Sequence, residues 1–358
     1  MKMFRHFSFY KHMNRSVLYA LLAAALFGAS TPFAKLLTRE IPPLLLGGLL
    51  YLSSGIGLGA ARLIRDKGWR SSGLMPTDWS WLCMSIFFGG MLGPVFLLFG
   101  LRLIDGSTAS LLLNLEAVMT AMLAWLVFRE NAGRRVVLGM LAIVAGGVLL
   151  SWPSEGPGES NLMGYVEVAT ACCCWAIDNN LTRKVSAADA LFIAGCKGLI
   201  AGTLNCAFAM ALGMSLPPPD SLLATAAVGL FGYGVSLVLY VLALRGLGAA
   251  RAGAYFSTAP FIGAGVALAL PGEQATPSFW LTAALMAMGV WLHLTERHEH
   301  LHSHEPLQHR HPHAHDEHHQ HSHDFDWNGR EPHDHFHIHT AITHKHPHYP
   351  DIHHRHPN

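Results

Sequence analysis

The sequence predicts an all-α integral membrane protein: ten transmembrane helices as two inverted five-helix repeats, followed by a disordered C-terminal tail. Three observations carry that prediction. Of the 358 residues, 51% are hydrophobic and only 13% are charged, with the charge gathered towards the ends of the chain. A soluble protein of this size spreads more charge over its surface. Apolar runs of about 20 residues recur, each long enough to cross a hydrocarbon core of roughly 30 Å at about 1.5 Å per residue. Residues 101–150, two such runs joined by a charged turn, are echoed without gaps by residues 244–293, 143 positions later. The aligned pairs include Leu101/Leu244, Arg102/Arg245, Glu130/Glu273, Ala132/Ala275 and Gly146/Gly289. Only ten of the 52 pairs from 99/242 to 150/293 are identical, so the weight rests on shared punctuation: an Arg before each hairpin and a Glu in its turn.

In chain order, residues 1–16 form a basic N-terminus with Lys2, Arg5, Lys11 and Arg15, and 17–37 is the first span. A basic start, an apolar run and small residues also resemble a signal peptide. The later counterpart of this segment is internal, which argues for a retained span. The other spans are expected at 44–64, 79–101, 106–128, 134–151, 162–182, 190–213, 221–244, 249–270 and 277–295. Pro217-Pro218-Pro219 separates two of them, and a Pro/Gly-rich loop at 152–161 separates the repeats, 17–151 and 162–296. Placing the N-terminus inside and alternating puts Arg62, Arg65, Lys67, Arg70, Arg129, Arg134, Arg135, Arg183, Lys184, Arg245 and Arg251 on the inner side. The outer loops carry only Arg39 and Arg102. Positive charge collects on the cytoplasmic side of membrane proteins. The expectation is therefore a multi-pass inner-membrane protein with both termini cytoplasmic. Five spans per half is an odd number, so the second half enters from the opposite side, as in many secondary transporters.

Ionisable groups within spans are functional candidates because hydrocarbon penalises them. Glu116 lies midway along the fourth span, two residues after Asn114. It is the leading candidate for binding a proton or a cationic substrate. Asp178, with Asn179, lies in the last turn of the expected sixth span, and Lys197 lies at a comparable depth in the seventh, so an Asp178–Lys197 ion pair is geometrically allowed. Glu167 is a further candidate near the outer side. Phe27 and Lys35 in the first span match Trp175 and Arg183 in the sixth, each an aromatic followed eight residues later by a cation. Snorkelling to the interface accounts for the two cations equally well. Cys172-Cys173-Cys174 suggests a soft metal site, but consecutive helical residues point about 100° apart, so packing is the better reading. No CxxC pair, phosphate loop, dinucleotide fingerprint or nucleophile–base constellation occurs. No enzymatic activity is expected, and a net charge of +1 argues against nucleic acid.

Beyond Glu296 the composition changes. Residues 297–358 hold 22 of the 25 histidines, interleaved with Asp, Glu and Pro. Too few apolar groups remain to bury a core. His298, His300, His302 and His304 alternate, as do His309, His311, His313 and His315, and His333, His335, His337 and His339. Alternate residues of an extended chain face one side. Neutral imidazole suits nickel, cobalt, zinc and copper, so the tail is expected to bind such ions, with Asp316, Glu317, Asp324 and Asp326 as added oxygen donors. Imidazoles also titrate near pH ~6.5, which makes pH sensing a third option beside loading and buffering of metal.

With its ten spans, two halves, aromatic-then-basic first helices and Glu-bearing turns, the chain resembles EamA-type transporters of the drug/metabolite transporter superfamily. Pro271-Gly272-Glu273 and Ser257-Thr258-Ala259-Pro260-Phe261 fit that pattern in the second half. The first half departs from it, with Ala117 where a Pro is usual and Arg129-Glu130 in the turn. The resemblance implies a carrier of small molecules, often outward. No cofactor is expected to be required, and a homodimer is a candidate assembly. The tail turns the expectation towards export of divalent transition metals. A carrier of organic metabolites with an accessory tail is the alternative, and a non-transporting metal sensor or store the third reading.

Overall fold

In the computed structural model the described residues are 2–68, 71–127, 134–152, 162–185, 188–295, 299–304, 308–313, 333–338 and 342–347. The chain divides into two units, Met1–Glu296 with Pro350–Asn358, and Arg297–Tyr349.

The first unit is helical. Its elements are α1 (Lys2–Leu37), α2 (Pro43–Asp66), α3 (Asp78–Ser85), a π-helical segment π1 (Ile86–Leu92), α4 (Gly93–Leu103), α5 (Gly106–Leu112), α6 (Asn114–Leu126) and α7 (Arg134–Ser151). They continue with α8 (Leu162–Val185), α9 (Ala190–Ala211), α10 (Pro219–Val228), π2 (Gly229–Val235), α11 (Ser236–Phe256), α12 (Ala259–Ala269) and α13 (Pro277–Leu294). Among the described residues, eight helical stretches are long and apolar enough to cross a bilayer. The other two long helices, α8 and α13, stand where the sixth and tenth spans are expected; α8 is diluted by Glu167, Asp178, Asn179 and Asn180. The helix of the first span begins at Lys2, so the basic N-terminus continues it.

The duplication is visible in the backbone itself. Ile86–Leu92 and Gly229–Val235 are the same seven residues displaced by 143, and both are π-helical. α7 and α13 begin and end at the same displacement. Towards the N-terminus of each half the displacement is larger, 148 for the ends of α1 and α8 at Leu37 and Val185. In α2 and α9 it is 147, and their contacts are reciprocal. A Cβ on Gly55 would meet Leu199 and one on Gly202 would meet Leu52; Gly48 lies against Cys206 and Gly195 against Gly59. Such small-residue crossings let membrane helices approach closely. α2 packs on α9 and α7 on α13, the two pairs that straddle the symmetry axis, while α1 packs on α11 as α8 packs on α4.

Two expected elements differ. The fourth span is not one helix: it breaks at Leu113 between α5 and α6, and its counterpart breaks at Ser257–Thr258. The loop expected between 244 and 249 is helical, inside α11. In the first half the equivalent position does open, at Ile104–Asp105, where Glu273 caps the freed Gly106 and Ser107 N–H groups at 2.7 and 2.8 Å. That reach depends on Gly272, whose φ of +100° turns the chain after Pro271. The equivalent Glu130 lies outside the described residues.

The second unit has four six-residue strands where the composition suggested a tail without regular structure. β1 (Glu299–His304) pairs antiparallel with β4 (Ile342–Pro347), and β2 (Gln308–His313) with β3 (His333–Ile338). The alternation that spaces the histidines is also the period of a strand. His298, His315, His339 and the acidic residues 316, 317, 324 and 326 lie outside the described residues.

Candidate functional site

The broken helices and the symmetry axis converge on a small cavity of about 70 Å³ between the halves. Each half contributes one residue to its centre. Phe27 of α1 and Trp175 of α8, equivalent by duplication, meet edge to face at 5.8 Å. Tyr233 of π2 packs on Phe27 at 6.0 Å and on Tyr51 of α2 at 5.5 Å. Phe256 closes on Phe27 at 5.5 Å and on Tyr240 at 4.7 Å. The π1 segment supplies an acceptor. The carbonyl of Gly89 would pair five residues on with Pro94, which has no N–H. It accepts instead from Tyr51 Oη at 2.8 Å and Trp175 Nε1 at 3.0 Å, fixing both rings.

Three charged groups line the cavity: Glu116, Asp178 and Lys197. Asp178 is not at a helix end: α8 continues to Val185, about two turns further, and Asp178 is 7% exposed. Lys197 Nζ, 2% exposed, donates to Asp178 Oδ1 and Oδ2 at 2.6 and 2.7 Å and to Thr182 Oγ1 at 3.2 Å. Ser85 Oγ and Thr182 Oγ1 also donate to Asp178 Oδ1, at 2.6 and 2.9 Å. A buried pair that is hydrogen-bonded on several sides is satisfied. No Cβ fits at Gly89, where Asp178 already sits. Glu116 stands in the first turn of α6, where the helix dipole favours a negative charge. Its contact is Asn179 Nδ2, which donates to Oε1 at 2.7 Å. Among the described residues no cation pairs with it. One of the two carboxylates is therefore paired with a cation, and Glu116 is the other, held by an amide alone. Tyr233 is 6% exposed, and among the described residues its hydroxyl has no partner.

The structure thus brings Glu116, Asn179, Asp178 and Lys197 into one cavity. It does not bring Asn114 there: that side chain turns to Leu111 O and Met286 Sδ on α13. Glu167 is half-buried and does not line the cavity. Cys172 is buried with its Sγ towards Leu112 O, Cys173 is exposed and Cys174 buried, so the three do not converge. Lys35 does not snorkel freely: its Nζ donates to Ile104 O at 2.6 Å and Leu101 O at 3.3 Å, at the end of α4. Among the described residues of the helical unit, no group of three or more His, Cys, Asp or Glu able to hold a metal occurs. Sequence reasoning missed Tyr51, Tyr233, Tyr240 and Phe256. A usable signal was three phenol hydroxyls inside apolar runs.

Two like halves, each with a helix broken in the membrane, enclosing a polar cavity near their axis, define a membrane transporter of the inverted-repeat class. The model of the EamA-like transporter family matches residues 14–152 and 162–295. The chain belongs to that family, within the drug/metabolite transporter superfamily. It is similar to an uncharacterized transporter of Methanothermobacter thermautotrophicus, 27% identical over 287 residues, covering 75% of this chain and 83% of that protein. The uncharacterized transporter YetK of Bacillus subtilis is 28% identical over 130 residues, 36% of this chain and 39% of its own. A crystal structure described only as that of a protein superposes with a TM-score of 0.61 at 20% identity, over 78% of this chain and 97% of its own. That last likeness concerns the fold.

Proposed function

We propose that this transporter carries a small organic cation by alternating access, with Glu116 holding the positive charge. The observation that carries the reading is a single uncompensated carboxylate among six aromatic side chains. Aromatic faces attract cations that are weakly hydrated, and organic ammonium groups are such cations. The Tyr233 hydroxyl is a free handle for a polar group on the same molecule. Asp178 and Lys197 satisfy each other and set the walls. A divalent metal ion wants several convergent oxygen, nitrogen or sulfur donors, which the cavity does not gather, so nickel, cobalt or zinc is the second reading, favoured by the histidine spacing of the tail. The charge bias of the loops supports an inner-membrane location with both termini cytoplasmic, and the family resemblance favours outward movement.

The test is flux of radiolabelled tetraethylammonium in proteoliposomes, in both directions, with nickel, cobalt and zinc in parallel. Saturable tetraethylammonium flux that is lost in Glu116→Gln supports the reading. Metal flux without organic-cation flux, or organic flux unchanged in Glu116→Gln, overturns it.

A further inference from the structure

In the second unit, β2 and β3 pair so that His309 stands opposite His337, His311 opposite His335 and His313 opposite His333. The intervening pairs are unlike: Arg310 with Phe336 and Pro312 with Asp334. Alternate strand positions lie on one face, so all six histidine positions share one face of the ladder. β1 and β4 repeat the arrangement, with His300 opposite His346 and His302 opposite His344. Alternation within one strand does not dictate this. A slip of one residue would set every histidine against a different residue type, because side-chain faces exchange with each step. The β2–β3 ladder matches every histidine to a histidine, and β1–β4 matches two of the three in β1, with His304 opposite Ile342.

Residues directly opposite one another lie about 4.5–5.5 Å apart at Cα, and positions two along a strand about 6.6–6.8 Å apart. Two adjacent pairs therefore set four histidine positions within the span that one tetrahedral ion can bridge. An isolated two-stranded ladder is marginal in water, and a shared ion would supply the missing cross-link.

We propose that the β2–β3 ladder is a divalent transition-metal site defined by strand register, with His311 and His335 as its central pair, and that β1–β4 is a second, smaller site. This goes beyond metal affinity from histidine content, because position and pairing set the sites rather than number. It is independent of what the helical bundle carries.

The experiment is a competition titration of the full-length protein in detergent with zinc ions against a chromophoric chelator. Wild type is compared with His311→Ala, His335→Ala, the double variant, and His311→Ala combined with His344→Ala. Each single change is expected to weaken one site at least tenfold. The His311/His335 double is expected to be little worse than either single change, whereas His311/His344 loses both sites. Zinc is also expected to slow amide exchange over 308–313 and 333–338 together. Singles that shift affinity less than twofold overturn the proposal. So does His311/His335 coupling no greater than His311/His344 coupling, or exchange that zinc leaves unchanged.

Discussion

The two halves of the bundle share a backbone but not a chemistry. Their π-helical segments coincide at a displacement of 143, and both break a helix in the membrane. Yet Glu116 in the first half corresponds to Ala259 in the second. Asp178 and Lys197 in the second half correspond to Ser30 and Leu50 in the first, at the displacements of 148 and 147 that align those helices. Likeness is kept in helix ends, π turns and glycine crossings. It is given up among the charged groups that line the cavity. On the proposed function, symmetry of backbone serves the transport cycle and asymmetry of charge serves the substrate.

The sharpest way to break this comparison is to orphan a charge. Lys197→Ala leaves Asp178 buried without its cation, an expected loss of about 3–5 kcal/mol, read as a large drop in melting temperature in detergent. Asp178→Ser with Lys197→Leu gives the second half the residues of the first, and is expected to recover most of that stability. A double variant as unstable as the single one would mean the pair specifies the fold.

Glu116→Gln is expected to lower organic-cation flux about 100-fold, roughly 2.7 kcal/mol of barrier, with folding intact. Moving the charge across the axis, Glu116→Ala with Ala259→Glu, is expected to leave flux low, because Thr31 stands where Asn179 would be needed. Restored flux would show that the halves are interchangeable after all. Gly198→Ala probes the shared part: its Cβ would press on the Gly55 backbone and on Tyr51 O at 2.7 Å. Overpacking of this kind costs about 1–3 kcal/mol, to be seen in thermal melts, and Gly195→Ala, whose Cβ would meet Gly59 N at 3.7 Å and Leu58 Cβ at 3.9 Å in ordinary contact, serves as the mild control. The smallest expected effect is Tyr233→Phe. Losing one hydrogen-bond handle, ~0.5–1.5 kcal/mol, raises the half-saturating concentration roughly two- to thirteenfold while maximal flux stays within about twofold.

Much of the bundle was legible in the sequence because hydropathy and loop charge are local signals. The duplication was legible through Arg102/Arg245 and Glu130/Glu273, which punctuate otherwise featureless apolar runs. The break at Leu113 was not, since the residues around it, Leu-Leu-Leu-Asn-Leu, contain no Pro or Gly; tertiary packing imposes it. The loop expected at 244–249 holds Gly246 and Gly248, but glycines inside a packed membrane helix do not end it unless something caps the exposed N–H groups. Glu273 does this in the first half, from 167 residues away in sequence. Of the candidate site, Glu116 and the Asp178–Lys197 pair followed from the cost of charge in hydrocarbon. The tyrosines did not, because a phenol in an apolar run looks like packing until the ring contacts are seen.

The contacts of Glu273 and Lys35 have a consequence for the balance between the carrier's two end states. Each joins segments that must part if the pathway opens at that end: Glu273 holds Gly106 and Ser107, and Lys35 holds Ile104. Glu130 and Arg183 occupy the equivalent positions of the other half. In the proposed cycle, releasing one set while the equivalent residues form the other would exchange like for like, so the two states would lie close in free energy. An equilibrium constant near unity would leave both populated without ligand, and a modest difference in affinity would then be enough to tip the carrier from one to the other.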